Sequence, residues 1–322
     1  MLFSKIIKKK FDAVLGRYDG DPAQYYFSPK DFPALKTEAF DIKGDNNVNL
    51  KGFYYYYESI NPDKFIVFDH GIGAGHMAYL NEINYLAKSG YTVYSYDHTG
   101  CVESEGTGIL GFAQGINDLD HVLTAINQDP RFKDKPIKLM GHSWGGYSAM
   151  NVVALHPEVT HVVSLAGFLS ARSLIEQYIP KLFLKYSEEV MERERQHNPK
   201  YADMNAIDSL KKSKAKLLHL QSTDDIKVKY ELCTKLMLED ADLAKRDDIE
   251  LVTVENKNHD PQRTVESNKA TKAMLLELEE SRNHGQLDDL EDIEEFKKRH
   301  DWTKIYEQDP KIWDKILEFL DK

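Results

Sequence analysis

The stretch KLMGHSWGGYSA, residues 138–149, sets Ser143 between two glycines in a G-x-S-x-G pattern, where an apolar run meets a helix-like run. In this pattern a strand enters a helix through a turn so tight that bulky neighbours would collide, and Gly141 and Gly145 leave the room. The turn lifts the serine hydroxyl clear of the sheet. The helix that follows aims free backbone N–H groups at the same spot, which suits an anion developing on a substrate carbonyl. A glycine-rich turn with an incidental serine is the competing reading; the position of the pattern, mid-way along an alternating chain, favours the nucleophile. Serine is a poor nucleophile near neutral pH, so it needs a base, and the base needs a group that fixes its orientation. HLQSTDDIKV offers Asp224 and Asp225 after one later strand, and VTVENKNHDPQ offers His259 after the next. Any one of these could be a loop residue or turn former. Together they complete the order serine, acid, histidine at successive strand exits.

The elements that must position these residues alternate. NLKGFYYYYES, KFIVFDH, YTVYSYDH, IKLMGHS, HVVSLAG, AKLLHLQS and IELVTVEN read as strands, and MAYLNEINYLAKSG, FAQGINDLDHVLTAINQ, GYSAMNVVALHP and YELCTKLMLED as helices. The four consecutive tyrosines read as sheet surface. Such alternation predicts a mostly parallel central sheet with helices on both faces, an α/β class, in a single domain over 1–322. The rhythm breaks over residues 168–213, which are charged and helical in pattern, with prolines at 180 and 199, and predict an inserted helical cap. Another helix is expected from about Arg263 towards Glu280. Residues 281–322 form an acidic extension, read as a solvated loop or surface helix followed by a terminal amphipathic helix around IWDKILEFL.

Composition narrows the function classes. Among 322 residues, 53 acidic side chains stand against 42 basic ones, a formal charge of −11, which argues against a nucleic-acid partner. The chain has only two cysteines, Cys101 and Cys233, which are expected to be free thiols in a reducing compartment. The opening MLFSKIIKKKFDAVLG lacks the order of a secretory signal, so a cytoplasmic location is expected. Leu2, Phe3, Ile6, Ile7, Phe11, Val14 and Leu15 recur there at helical spacing. That face could rest on a membrane surface, although docking on the protein's own body is the commoner outcome.

From about residue 50 to 265 the chain resembles the α/β-hydrolase family, particularly its monoglyceride-lipase-like and serine-aminopeptidase-like members. DHGIGAGH lies where that family has its oxyanion loop, and YDHTGCVESEG, the GHSWG turn and both later strand exits follow in family order. The family's acid follows a small residue by three positions and precedes an apolar one by three. Ser222 and Val228 meet that spacing around Asp225, so the resemblance selects Asp225 over Asp224. Geometry and resemblance together imply an oxyanion hole from the N–H groups of Ile72 and Trp144. His70 and His76 are read as structural or pocket-lining, and no H-E-x-x-H or cysteine cluster accompanies them to suggest a metal. The loop departs from the family where Val102 replaces a usual glycine, and the resemblance gives the extension no role.

These residues imply a serine hydrolase acting on small acyl esters through an acyl-enzyme, with Ser143, Asp225 and His259 catalytic and no cofactor required. Aminopeptidase-type amide hydrolysis and acyl transfer would use the same groups. A ligand-binding protein without turnover is a weaker alternative. GIGAG followed by Asp97 mimics a dinucleotide-binding turn, but His76 stands where G-x-G-x-x-G needs its last glycine. Leu174, Ile175, Tyr178, Ile179, Leu182, Phe183 and Leu184 are the cap's candidate lining residues, with Tyr178 and Phe183 expected to touch substrate.

Overall fold

Strands such as FIVFD and TVYSY carry apolar side chains on both faces, which suits a sheet covered on both sides. The computed structural model describes residue 9 and residues 11–73 and 75–322. Eight strands make one sheet: β1 (Lys36–Ala39), β2 (Gly52–Tyr56), β3 (Phe65–Asp69), β4 (Thr92–Tyr96), β5 (Ile137–His142), β6 (Val159–Leu165), β7 (Lys216–Ser222) and β8 (Ile249–Val254). They lie in the order β1-β2-β4-β3-β5-β6-β7-β8, antiparallel from β1 to β4 and parallel from there on. Strand β1 had no apolar alternation to betray it. All four of its residues are exposed at the sheet edge.

Helices α1 (Leu80–Lys88), α2 (Gln114–Gln128) and α3 (Trp144–Val152) follow β3, β4 and β5. Two interiors result. One packs α2 and α3 against the sheet through Ile116, Leu119, Leu123 and Met150; the other packs α1 against it through Ile83 and Leu86. Tyr54 and Tyr55, read from sequence as sheet surface, are fully buried in these two interiors, because alternate strand residues point to opposite faces and both faces are covered.

Between β6 and β7, residues 168–213 hold α4 (Ala171–Tyr178), a 3-10 turn at Lys181–Tyr186, α5 (Ser187–His197) and α6 (Ala206–Lys212). Ser170 caps α4, its side chain accepting the Ser173 N–H at 3.1 Å. Helix α7 (Thr234–Glu239) precedes β8.

After β8 come α8 (Val265–Asn283), α9 (Leu290–Arg299), α10 (Trp302–Ile305) and α11 (Pro310–Leu320). Helix α11 closes the second interior with Trp313, Ile316, Phe319 and Leu320. The stretch read as a solvated loop or surface helix holds the mostly exposed helix α9, which also packs through Phe296 into a small core. Met274 and Leu278 of α8 meet Phe296, Trp302, Ile305 and Tyr306, and Ala23 of the N-terminal segment completes the cluster. Arg282 pairs with Asp21 at 2.5 Å across the same junction.

At the N-terminus, Leu2, Phe3, Ile6 and Ile7 lie outside the described residues. Phe11 docks on the body, edge-on to Phe112 at 6.5 Å, while Val14 stays partly exposed. No helix among the described residues is long and apolar enough to cross a membrane.

Candidate active site

The carboxyl ends of β3, β5, β7 and β8 open on the same side of the sheet, where open α/β sheets place their ligands. Ser143 follows β5 with φ 56° and ψ −110°, a left-handed conformation uncommon for a residue with a side chain. Both neighbouring glycines are forced. A Cβ on Gly145 would stand 2.0 Å from the Asp69 carbonyl oxygen, and one on Gly141 would stand 2.3 Å from the Gly145 carbonyl. The turn is locked by the Ser143 N–H donating to Leu165 O at 2.8 Å and by Ser143 O accepting the Tyr147 N–H at 2.9 Å. Trp144 opens α3, so its N–H has no carbonyl a turn earlier in the helix. Its indole is buried and donates to Phe112 O at 2.6 Å.

His259 and Asp225 are brought together, with Nδ1 2.8 Å from Asp225 Oδ2. The other Asp225 oxygen accepts the N–H groups of Lys227 and Val228 at 2.9 and 3.0 Å, so the carboxylate is held on both sides. Asp224 is exposed and turned to the Ser222 hydroxyl and the Asn258 N–H. His70 and His76 are fully buried away from the cavity. His76 bonds Asp97 at 2.7 Å and the Tyr55 hydroxyl at 2.8 Å, and His70 bonds Gly71 O at 2.7 Å.

Sequence reasoning passed over His142, the variable position inside G-x-S-x-G. Its Nε2 lies 2.8 Å from the His259 carbonyl oxygen and its Nδ1 2.8 Å from the Tyr79 hydroxyl. A carbonyl only accepts, so Nε2 carries the proton, and Nδ1 accepts from Tyr79. The Tyr79 oxygen in turn accepts the Gly71 N–H at 3.2 Å. Burial pushes the His142 imidazole down to about 3, with further help from His259, which keeps it neutral as this chain of bonds requires. The loop at 71–73 and the loop carrying His259 are thereby linked through one neutral ring.

A cavity of about 830 Å³ lies over these groups, and Ser143, His259, His142 and Ile72 all line it. Of the expected cap residues, Leu174 and Tyr178 line it as well. Tyr178 also donates its hydroxyl to Lys227 O at 2.8 Å, tying α4 to the loop that carries Asp225. Phe183 is not among the lining residues; it stacks with Tyr186 and packs on the core. Ile175 and Ile179 are buried as anchors, and Leu182 is 82% exposed.

The remaining walls come from both ends of the described chain. Phe11, Tyr18 and Tyr26 contribute from one end, and Met274, Leu275 and Tyr306 from the other. The i, i+3, i+4 spacing of Thr271, Met274 and Leu275 was the available signal for the second group, since it puts them on one helix face. Arg263 lies in this wall, 6% exposed, with its guanidinium 4.7 Å over the Tyr306 ring. Glu82 and Asp260 stand 3.6 and 3.7 Å from it. Burial opposes the charge on Asp260, but the Arg263 guanidinium outweighs it and holds the carboxyl below its usual range.

Residues 60–256 match the family model described as serine aminopeptidase, S33. The chain belongs to this family of α/β-hydrolases. The chain is 28% identical over 166 residues to a proline iminopeptidase of Thermoplasma volcanium, covering 50% of this chain and 53% of that one. It is 32% identical over 117 residues to the monoglyceride lipase of Mus musculus, covering 34% and 38%. The match thus spans about half the length, or less, of these relatives. Among solved structures, a Pyrococcus furiosus esterase superposes with a TM-score of 0.58 at 19% identity, covering 84% of this chain and 97% of that one. An acylaminoacyl peptidase of Pyrococcus horikoshii gives 0.50 at 20%, covering 71% and 38%. At these identities the structures share the fold.

Proposed function

We propose that this S33-family chain is a serine hydrolase that cleaves carboxylic esters through an acyl-enzyme intermediate. The observation that carries the proposal is the His259–Asp225 pair at 2.8 Å bordering the same cavity as Ser143 on its left-handed turn. In the proposed mechanism His259 Nε2 takes the serine proton as Ser143 Oγ attacks the ester carbonyl, and Asp225 keeps Nδ1–H in place and stabilises the imidazolium. The N–H groups of Ile72 and Trp144 hold the oxyanion, each worth about 2.7–4 kcal/mol in the transition state. His259 then gives its proton to the leaving alcohol and activates water, which releases the acid and restores the serine. His142 and Tyr79 act by positioning, since they fix the His259 backbone relative to the loop at 71–73.

Amide cleavage at a free amino terminus is the second reading, because Asp21 and Asp260 line the cavity and a carboxylate could receive an amine. Both already face cations, Asp21 with Arg282 at 2.5 Å and Asp260 with Arg263 at 3.7 Å, which favours esters. Residues 168–213 serve as a cap in this reading, contributing Leu174 and Tyr178 to substrate binding. The two free, buried cysteines fit a reducing compartment such as the cytoplasm.

A fluorophosphonate probe tests the nucleophile: it should label the native protein at Ser143 and leave Ser143→Ala unlabelled. Equal labelling of both removes the proposal. Turnover of p-nitrophenyl esters against aminoacyl anilides separates the two readings, with faster anilide cleavage reversing the preference for esters.

A further inference from the structure

A histidine that takes the serine proton and returns it to the leaving group must have that group on its own side of the reacting carbonyl. The wall on that side is built by the chain that runs on directly from His259. Asp260 and Arg263 lie in the loop, Met274 and Leu275 come from α8, and Tyr306 follows α10; all line the cavity with Ser143. Every one of these residues falls after residue 256, where the family match ends. Their unit is also firmly built. It has its own apolar core, an N-cap at Thr264 that accepts the Ser267 N–H at 3.0 Å, and the Arg282–Asp21 ion pair to the N-terminal segment.

We infer that α8–α10 form the leaving-group subsite of the Ser143 centre, shaped for the alcohol portion of an ester with an apolar body. This rests on the ester reading of Ser143 and His259. Met274 packs towards the unit's core at 3% exposure, while Leu275 is 41% exposed and reaches the cavity from a helix position where a change of size leaves the core intact. Leu275 is therefore the residue that grades alcohol size. Arg263, which no other described side chain hydrogen-bonds, closes the polar end of the wall with Asp260 and Tyr306.

The experiment uses the full chain and two ester series. One holds the acyl group fixed as butyrate and varies the alcohol from methyl through butyl to octyl; the other holds p-nitrophenol fixed and lengthens the acyl chain. Leu275→Ala, which removes an apolar contact to the long alcohol, should lower the octyl-to-methyl ratio of kcat/KM by about tenfold, and Leu275→Phe, which narrows the subsite, should lower it as well, while the acyl profile moves less than about twofold in both variants. Circular dichroism and thermal melts on both variants verify folding, and two substitutions of opposite size guard against one that disrupts the unit. An acyl profile that shifts while the alcohol ratio stays fixed overturns the inference, as does no shift in either series. In those cases Ser143 is still acylated and the ester reading stands. Absence of Ser143 acylation by either series in the unsubstituted protein removes both.

Discussion

His259 pairs with one carboxylate, Asp225 at 2.8 Å, and its ring borders the cavity; His98 lies between two, Asp69 at 2.5 Å and Asp118 at 3.2 Å, with no exposure at all. The residue types are the same, but their surroundings divide the work. Burial alone would discharge His98, yet the two carboxylates outweigh it and push the imidazole up to about 9. A ring held charged at neutral pH cannot accept a proton, so His98 serves as a buried cation that packs 4.4 Å from Trp144, the residue after Ser143. Asp118 is further bound by the N–H and hydroxyl of Thr99 and by Gln114, each at 2.8 Å. The interior group is thus a fixed support, and the group at the cavity is the one with a ring nitrogen left for chemistry.

The largest expected effect separates the two groups by rate. Asp225→Asn should lower kcat/KM for an ester by about 10⁴-fold, as loss of the orienting acid does in a serine triad. Asp224→Asn, exposed and facing away, should change it little, and the reverse ranking would reassign the acid. The next effect separates them by stability. His98→Ala leaves two buried carboxylates without their cation and should cost about 3–5 kcal/mol in denaturant unfolding. A loss under about 1 kcal/mol would mean that no charge is stored there.

The third effect is the pH dependence of the same support. Because the folded His98 value of about 9 stands above the ordinary histidine value, its contribution is complete below about pH 6.5 and is lost as pH rises through 9. Unfolding free energy should fall by about 3 kcal/mol across that window. His98→Gln should flatten this slope, and an unchanged slope would assign it to another group. The smallest effect concerns the neighbouring pair, His76 with Asp97, whose loop contains Val102 at φ 41°. A β-branched residue is strained there. Val102→Gly should stabilise the protein by about 1 kcal/mol, measured by thermal melting.

Much of this was legible in the sequence, and for physical reasons. Gly141 and Gly145 announce the turn at Ser143 because sterics allow nothing larger, and the spacing of Ser222, Asp225 and Val228 reflects a loop in which Asp225 accepts two backbone N–H groups. Val102 gave warning of a changed loop, yet the backbone keeps the left-handed conformation that a glycine would take. What stayed hidden depends on distant contacts. His142 occupies a position that the turn itself leaves free, and its partners lie 63 and 117 residues away. The helix over α8 was legible, but its acidic residues in LLELEESRN hide that Met274 and Leu278 pack against Ala23 and Trp302.

That joint between the two ends of the described chain also bears on how the protein is made. Tyr26 and Tyr306 line one cavity but are 280 residues apart, so on a ribosome adding about 5–20 residues per second the first waits roughly 14–56 s for the second. Throughout that interval Ala23, Tyr25 and Phe27 have no C-terminal partner, and the apolar surface that α8–α10 will cover is open to chaperones or to neighbouring nascent chains. The cavity therefore closes late, only once Tyr306 has been added, and translation speed over the stretch that encodes α8–α10 bears directly on how much folded protein a cell obtains.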